Sequence, residues 1–209
     1  MSKLNRIKVW DPAVRLFHWS LVVAFTVAYF TEEDVLDVHV AAGYTVLGLV
    51  LFRILWGFIG PQHARFSDFV YRPGVVAAYL KDLMLGRARR YLGHNPAGGV
   101  MIILLFISLL GVTVSGLALY AADEQAGPLA FWLAGMDERW EDWLEEVHEF
   151  LANLTLGLVF LHILGVLAES FLHRENLVAA MFTGYKKADD TSRNKPRGSA
   201  QGMLVTRQP

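Results

Sequence analysis

Cysteine is absent from all 209 residues, which excludes disulfides, thiolate metal centres, iron–sulfur clusters and haem attached through thioether bonds. A haem carried by such a chain has only histidine or methionine to hold it. A second shortage is regional: of the nineteen Lys and Arg residues, only Arg139 falls in the segments that join the first apolar stretch to the second and the third to the fourth. The arm over residues 1–11 is charged and no small-residue cleavage site follows a short apolar core, so no removable signal peptide is expected. There is no internal repeat and no low-complexity tract.

What the chain has in excess is apolar side chains, 54% of its residues against roughly 45–50% in a soluble domain. Four stretches, at residues 14–30, 38–59, 98–122 and 147–172, approach the about 20 residues that a spanning helix needs. The expected fold is all-α, an integral membrane four-helix bundle. Most Lys and Arg lie in the N-terminal arm, the 60–96 loop and the C-terminal tail, so the positive-inside rule makes both termini cytoplasmic. The opposite loops are acidic, with Glu32, Glu33, Asp34 and Asp37 in one and Asp123, Glu124, Asp137, Glu138, Glu141, Asp142, Glu145 and Glu146 in the other. Residues 75–85, apolar on one face and followed by Arg87, Arg89 and Arg90, read either as an amphipathic helix on the anionic leaflet or as a plain connector. Residues 1–187 are expected to form one transmembrane domain, and residues 188–209, rich in Lys, Asp, Ser, Arg and Pro, a disordered cytoplasmic tail. Trp residues near the span ends read as an aromatic belt. No nucleic-acid partner is expected.

Seven histidines occur, and His18, His39, His148 and His162 fall within or at the edges of the spans. An ionisable residue there is a functional-site hypothesis, because an unpaired polar group in hydrocarbon costs several kcal/mol. The four sort by depth. His39 and His148 open their spans at the outer side, whereas His18 and His162 lie toward the inside. On an ideal helix the step from His148 to His162 advances about 21 Å and returns to within about 40° of the same face. One helix thus presents two ligands, and the depths pair His39 with His148 and His18 with His162 as two bis-histidine haem sites. The competing reading is a set of polar residues hydrogen-bonded within the bundle. A zinc or copper site is a weaker option, since neither pair is joined by a carboxylate or thiolate. Ala42, Gly43 and Gly165 beside these histidines leave room for a flat macrocycle, or simply let helices approach closely.

The motifs Arg15-Leu16-Phe17-His18-Trp19, Gly93-His94-Asn95-Pro96-Ala97-Gly98-Gly99 and His162-Ile163-Leu164-Gly165, with the run from Ser170 to Val178, resemble the bacterial di-haem cytochrome b561 family. The likeness is greatest to its branch related to the cytochrome b subunits of nickel–iron hydrogenases. The resemblance implies a multi-pass protein of the bacterial inner membrane, four spanning helices, two haem b groups and electron exchange between the quinone pool and a redox partner outside the membrane. The family's ligand pattern, one histidine from each of the first two spans and two from the fourth, carries over to His18, His39, His148 and His162. The acidic outer face suits a periplasmic cytochrome c or another basic redox protein. Rival readings are the membrane subunit of a larger dehydrogenase or hydrogenase, a superoxide:quinone oxidoreductase, and a non-redox membrane scaffold. Whether the chain is itself an enzyme or a carrier is left open by the motifs. A homodimer is compatible with a short bundle that must shield two large cofactors.

Arg15 and Arg53 lie toward the inner side and are candidates to pair with the propionates of the inner haem, because guanidinium forks match carboxylates. His94, Asn95 and Arg90 are candidates to line a quinone pocket, with a turn as the simpler reading. Glu149 and Glu169 are candidates to relay protons. His63 and His173 read as surface residues.

Overall fold

The computed structural model describes residues 6–31 and 35–188. Glu32, Glu33 and Asp34, and the expected tail from residue 189 onward, lie outside the described residues. Among the described residues, eight α-helices, one short 3-10 helix (Gln62–Ala64) and one two-stranded sheet make up the regular structure. Four helices are long and apolar enough to cross a membrane: α1 (Pro12–Phe30), α2 (Leu36–Ile59), α5 (Pro96–Ala122) and α7 (Glu138–Leu172). Each begins or ends within two residues of the expected span, except at the start of α7. That helix begins nine residues earlier than expected, and its 35 residues amount to about 52 Å, well beyond the about 30 Å of a hydrocarbon core. The acidic segment before Val147 therefore continues the span as helix, projecting from it. Asp137 caps it by accepting from the Arg139 amide, and Glu138 and Glu141 sit in its first turn, where the helix dipole favours negative charge.

Local chemistry sets the other starts. The Asp11 carboxylate accepts from the amides of Ala13 and Val14 at 2.9 and 3.2 Å, and Pro12 opens α1. Asn95 does the same for Gly98 at 2.7 Å, ahead of Pro96 at the start of α5. The shorter helices are α3 (Phe66–Phe69), α4 (Pro73–Met84), α6 (Ala130–Leu133) and α8 (Leu177–Thr183). α4 is the helix expected over residues 75–85, and it packs on α5.

The core forms where α1, α2 and α5 meet, from Phe17, Ala24, Val46, Val50, Phe106 and Leu109. α7 packs along α5 and makes little direct backbone contact with α1 or α2. Across all its residues it buries only Thr155, and Phe160, Leu161, Ile163, Leu164 and Leu167 are exposed as a lipid-facing surface requires. Side chains alone bridge the slot between α7 and the α1–α2 pair, among them Tyr29, whose hydroxyl donates to Asn153 at 2.8 Å.

The two ends of the bundle differ in charge. Asp123 and Glu124 after α5, with the start of α7, form an acidic end. At the other, basic end, β1 (Arg6–Lys8) pairs antiparallel with β2 (Tyr185–Lys187), with Ile7 opposite Lys186. Gly184, at φ 87°, ends α8 in the left-handed conformation that glycine adopts without strain, and its carbonyl accepts from Val9 and Trp10 at 2.9 and 3.1 Å. Trp10 is buried against Val9 and Ala180, with the Lys186 ammonium over its ring. It is part of this clasp and not of an interfacial belt. Arg90 and Glu175 lock the clasp: the guanidinium donates through Nε and Nη2 to both carboxylate oxygens, and Nη2 also donates to the Lys187 carbonyl at 2.7 Å.

Candidate functional site

The slot along α7 holds the four singled-out histidines in two pairs. The rings of His39 and His148 have centroids 6.0 Å apart, and those of His18 and His162 6.5 Å apart. Both pairs bring a residue of α1 or α2 to face α7, at the two depths set by the spacing of His148 and His162 on that helix.

Hydrogen bonds orient the pair nearer the acidic end. His39 Nδ1 lies 2.8 Å from the Ala28 carbonyl and His148 Nδ1 3.0 Å from the Val112 carbonyl. A carbonyl only accepts, so each Nδ1 carries the proton and each Nε2 is left with its lone pair. A histidine whose far nitrogen is tied to a carbonyl in this way has the tautomer of a metal ligand. Beside them lies a mainly apolar cavity lined among others by Gly43, Tyr44, Gly116 and Tyr120. Open space stands over Gly43, which lines this cavity, and over Gly165, which is exposed on α7. Gly116 is a residue the sequence did not single out. A Cβ there would meet His148 Cε1 at 2.7 Å, so its bare backbone is what admits the His148 ring.

At the His18–His162 level the polar environment is thinner. His18 Nδ1 is buried without a partner, and Trp19 meets its ring edge-on at 5.0 Å. Arg15 donates from Nη1 to the Phe182 carbonyl at 2.5 Å, while its Nε is buried and unpartnered. Arg53 is only 3% exposed. Its guanidinium lies 5.8–5.9 Å from the ring centres of Phe66, Phe69 and Phe106, with Nη1 unpartnered.

Haem fits these donors on geometric grounds. Taking about 2.0–2.1 Å for each metal–imidazole bond, with roughly 1 Å more from each coordinating nitrogen to its ring centre, two axial imidazoles on one iron have centroids about 6 Å apart. Both pairs lie close to that separation. Zinc or copper held by protein alone fits poorly, because no group of three or more His, Cys, Asp or Glu is placed to hold a metal among the described residues. Haem needs only two protein ligands per iron.

The remaining candidates divide. Asn95 is spent on the α5 cap and Arg90 on Glu175, so the structural reading of that loop holds for both. His94 is wedged between Trp10 and Phe69, at 4.6 and 5.0 Å. Burial, with the charges of Arg53 and Lys186, pushes its pKa down to about 3. His63 and His173 are not free surface residues: each is half-buried against a carboxylate, His63 Nδ1 at 2.9 Å from Asp68 and His173 Nε2 at 3.2 Å from Glu169. Glu169 also accepts from the buried Tyr79 hydroxyl, which burial and this bond hold well above the usual phenol range. Glu149 is exposed and unassociated with either pair.

Several known proteins are similar to this chain along most of its length. A protein named "Probable Ni/Fe-hydrogenase B-type cytochrome subunit" from Azotobacter vinelandii is 26% identical, covering 91% of this chain and 92% of its own length. One of the same name from Rhizobium leguminosarum bv. viciae is 23% identical over 88% and 90%. The "Probable Ni/Fe-hydrogenase 1 B-type cytochrome subunit" of Escherichia coli K12 is 24% identical over 85% and 89%. No solved structure matches significantly. The family model described as "Prokaryotic cytochrome b561" matches residues 9–184, the whole helical bundle from just after β1 to the end of α8. The chain belongs to the prokaryotic cytochrome b561 family, and is a multi-pass membrane cytochrome b of electron transfer.

Proposed function

We propose that the chain holds two b-type haems, one between His39 and His148 and one between His18 and His162, and carries electrons across the membrane between the quinone pool and a redox partner at its acidic end. The observation that carries this reading is the recurrence of one ring separation, 6.0 and 6.5 Å, at two depths along α7. Each haem, when bound, supplies reversible one-electron chemistry at its iron. The chain's own residues do the positioning. Ala28 and Val112 hold His39 and His148 by their Nδ1 protons, so that each Nε2 is the coordinating atom. Gly43 and Gly116 keep side-chain bulk away from the ring of the macrocycle and from the His148 imidazole. Arg15 and Arg53 supply positive charge toward the carboxylates of the inner haem. Glu169, paired with His173, is the carboxylate available to take up or release a quinone proton at the basic end.

In this reading residues 1–187 form one domain and both termini are cytoplasmic, which puts the acidic end in the periplasm of a bacterial inner membrane. Its Glu and Asp residues, with exposed Phe131 and Trp132, suit a basic partner such as a c-type cytochrome. A second reading, favoured by the names of the relatives, makes the chain the cytochrome b subunit of a nickel–iron hydrogenase. The non-redox scaffold is disfavoured by His18, since a histidine kept only for hydrogen bonding would not leave Nδ1 buried and unpaired at about 1–3 kcal/mol.

The test is a reduced-minus-oxidised spectrum with a pyridine haemochrome count on purified protein and on His39→Ala and His162→Ala. About two b-type haems per chain are expected, with each variant losing a different one. A folded, colourless protein would refute the reading. Copurification of a hydrogenase catalytic subunit from the native host would select the second reading over a soluble carrier.

A further inference from the structure

Among the described residues, the buried side-chain polar atoms without a hydrogen-bond partner all lie at the basic end of the bundle. All are nitrogens of Arg, Trp or His and none is an oxygen, and His173 Nε2 among them lies within ion-pair range of Glu169 at 3.2 Å. Native proteins leave few such groups, so a cluster of one kind calls for an occupant that brings acceptors. Arg53 and His94 are the most constrained. Arg53 is 3% exposed with Nη1 unpartnered, and no acidic side chain is in ion-pair contact with it: Asp11, whose Oδ1 caps α1, acts on it only from a distance. The His94 ring is held between Trp10 and Phe69 with Nδ1 unpartnered. Its backbone is equally fixed, the carbonyl accepting from the Tyr71 hydroxyl at 3.3 Å. Both converge on Phe69, 1% exposed, the guanidinium over its face and the imidazole at its edge. His94 is also within electrostatic reach of His162.

We propose that Arg53 and His94 together form a carboxylate-receiving site at the basic end, and that its occupant is a propionate of the haem held by His18 and His162. This rests on the haem reading above and gives His94, which caps no helix and touches no ligand pair, a role in it. Arg53 offers a charged donor from α2 and His94 a neutral N–H donor from the loop before α5. A carboxylate between them satisfies both groups and neutralises an otherwise unpaired buried cation. A quinone carbonyl is the other acceptor of suitable chemistry, and the experiment separates the two.

Holoprotein in detergent is mixed with excess apomyoglobin to follow haem loss, and each haem is titrated for its midpoint potential, in wild type, Arg53→Met, Arg53→Lys and His94→Gln. Arg53→Met is expected to release the His18–His162 haem about ten- to a hundredfold faster and to lower its potential, because a positive charge that favours the ferrous state has gone. Arg53→Lys restores part of both, and the His39–His148 haem, unchanged throughout, reports that the fold is intact. Refilling with haem dimethyl ester, which has no free carboxylates, is expected to abolish the difference between wild type and Arg53→Met. Should Arg53→Met not accumulate, His94→Gln carries the same two readouts. Two haems with wild-type release and potentials in every variant overturn the proposal, and so does a raised KM for decylubiquinol with haem behaviour unchanged, which assigns the site to a quinone carbonyl. A wild-type protein without haem overturns the underlying haem reading instead.

Discussion

Gly116→Ala is the smallest change that addresses the His39–His148 pair. The added methyl would stand 2.7 Å from His148 Cε1 and 3.1 Å from its Nδ1, whereas carbon atoms in good contact lie about 3.5–4.0 Å apart. Either the imidazole or the α5–α7 interface must yield by roughly 1 Å. Moving the ring breaks the bond from Nδ1 to the Val112 carbonyl, 3.0 Å long, and with it the restraint on where Nε2 points. Overpacking of this kind costs about 1–3 kcal/mol, and losing the partner that orients a metal-bound histidine costs about 10–100-fold in metal affinity. The expected result is a holoprotein that keeps the His18–His162 haem and loses the other that much faster to apomyoglobin, followed by the Soret band during transfer. A Gly116→Ala protein that retains two haems with wild-type release rates and an unchanged low-spin spectrum would refute the reasoning, since it would mean that the imidazole is not confined by that backbone.

Three further outcomes follow from other parts of the molecule. Burial alone would raise the Glu175 carboxyl, but the hydrogen bonds from Arg90 and the Lys187 amide, with the nearby Lys186, hold it below its ordinary value. A depressed carboxyl contributes its stability above the ordinary glutamate pKa of about 4.3 and loses it as the pH falls through the lower folded value. Limited proteolysis should therefore open the β1–β2 clasp in wild type only at acid pH, whereas Glu175→Gln, which removes the Glu175 carboxylate from the Arg90 guanidinium and from the Lys187 amide, should open it at a higher pH than wild type. Gly99→Ala would drive a Cβ into the Phe69 carbonyl, which is backbone and cannot rotate away, so thermal unfolding in detergent should show a loss of about 1–3 kcal/mol. The natural absence of cysteine makes topology simple to read: in intact cells an impermeant maleimide should label Phe131→Cys, and Arg89→Cys only after permeabilisation. The reverse pattern would overturn the cytoplasmic assignment of the termini.

The spans were legible because a lipid-facing helix must be apolar along its whole length, and hydropathy alone located three of the four to within about two residues at each end. The start of α7 was missed for the same reason: its acidic turns read as loop, although Asp137 followed by Glu138 and Glu141 is the sequence of a capped helix. Depth sorting brought together the same histidine pairs that face each other across the slot between α7 and the α1–α2 pair, since position along a span translates directly into height in the bundle. Pairs set by tertiary contact were harder. The 5-residue step from His63 to Asp68 and the i, i+4 step from Glu169 to His173 were readable as local pairs, but solvent exposure inferred from polarity hid them. Gly116 looked like one small residue among many in an apolar helix, and only the neighbouring imidazole gives it meaning. The β1–β2 ladder had no local signal at all, because three-residue strands at opposite ends of a chain carry no periodicity to read.

That ladder has a consequence for assembly. Its N-terminal strand emerges first during synthesis, and its partner is among the last of the described residues to appear, after all four spans. Until then β1 is an unpaired edge, open to pairing with any other extended segment. The contact that closes it spans nearly the whole described sequence and can form only when α1 and α8 have been brought side by side, so closure follows correct insertion of the helices between them. A chain truncated before Tyr185 would insert its spans and still present that edge, together with a Trp10 ring that has lost the Lys186 ammonium over it, to the degradation machinery that removes incomplete membrane proteins.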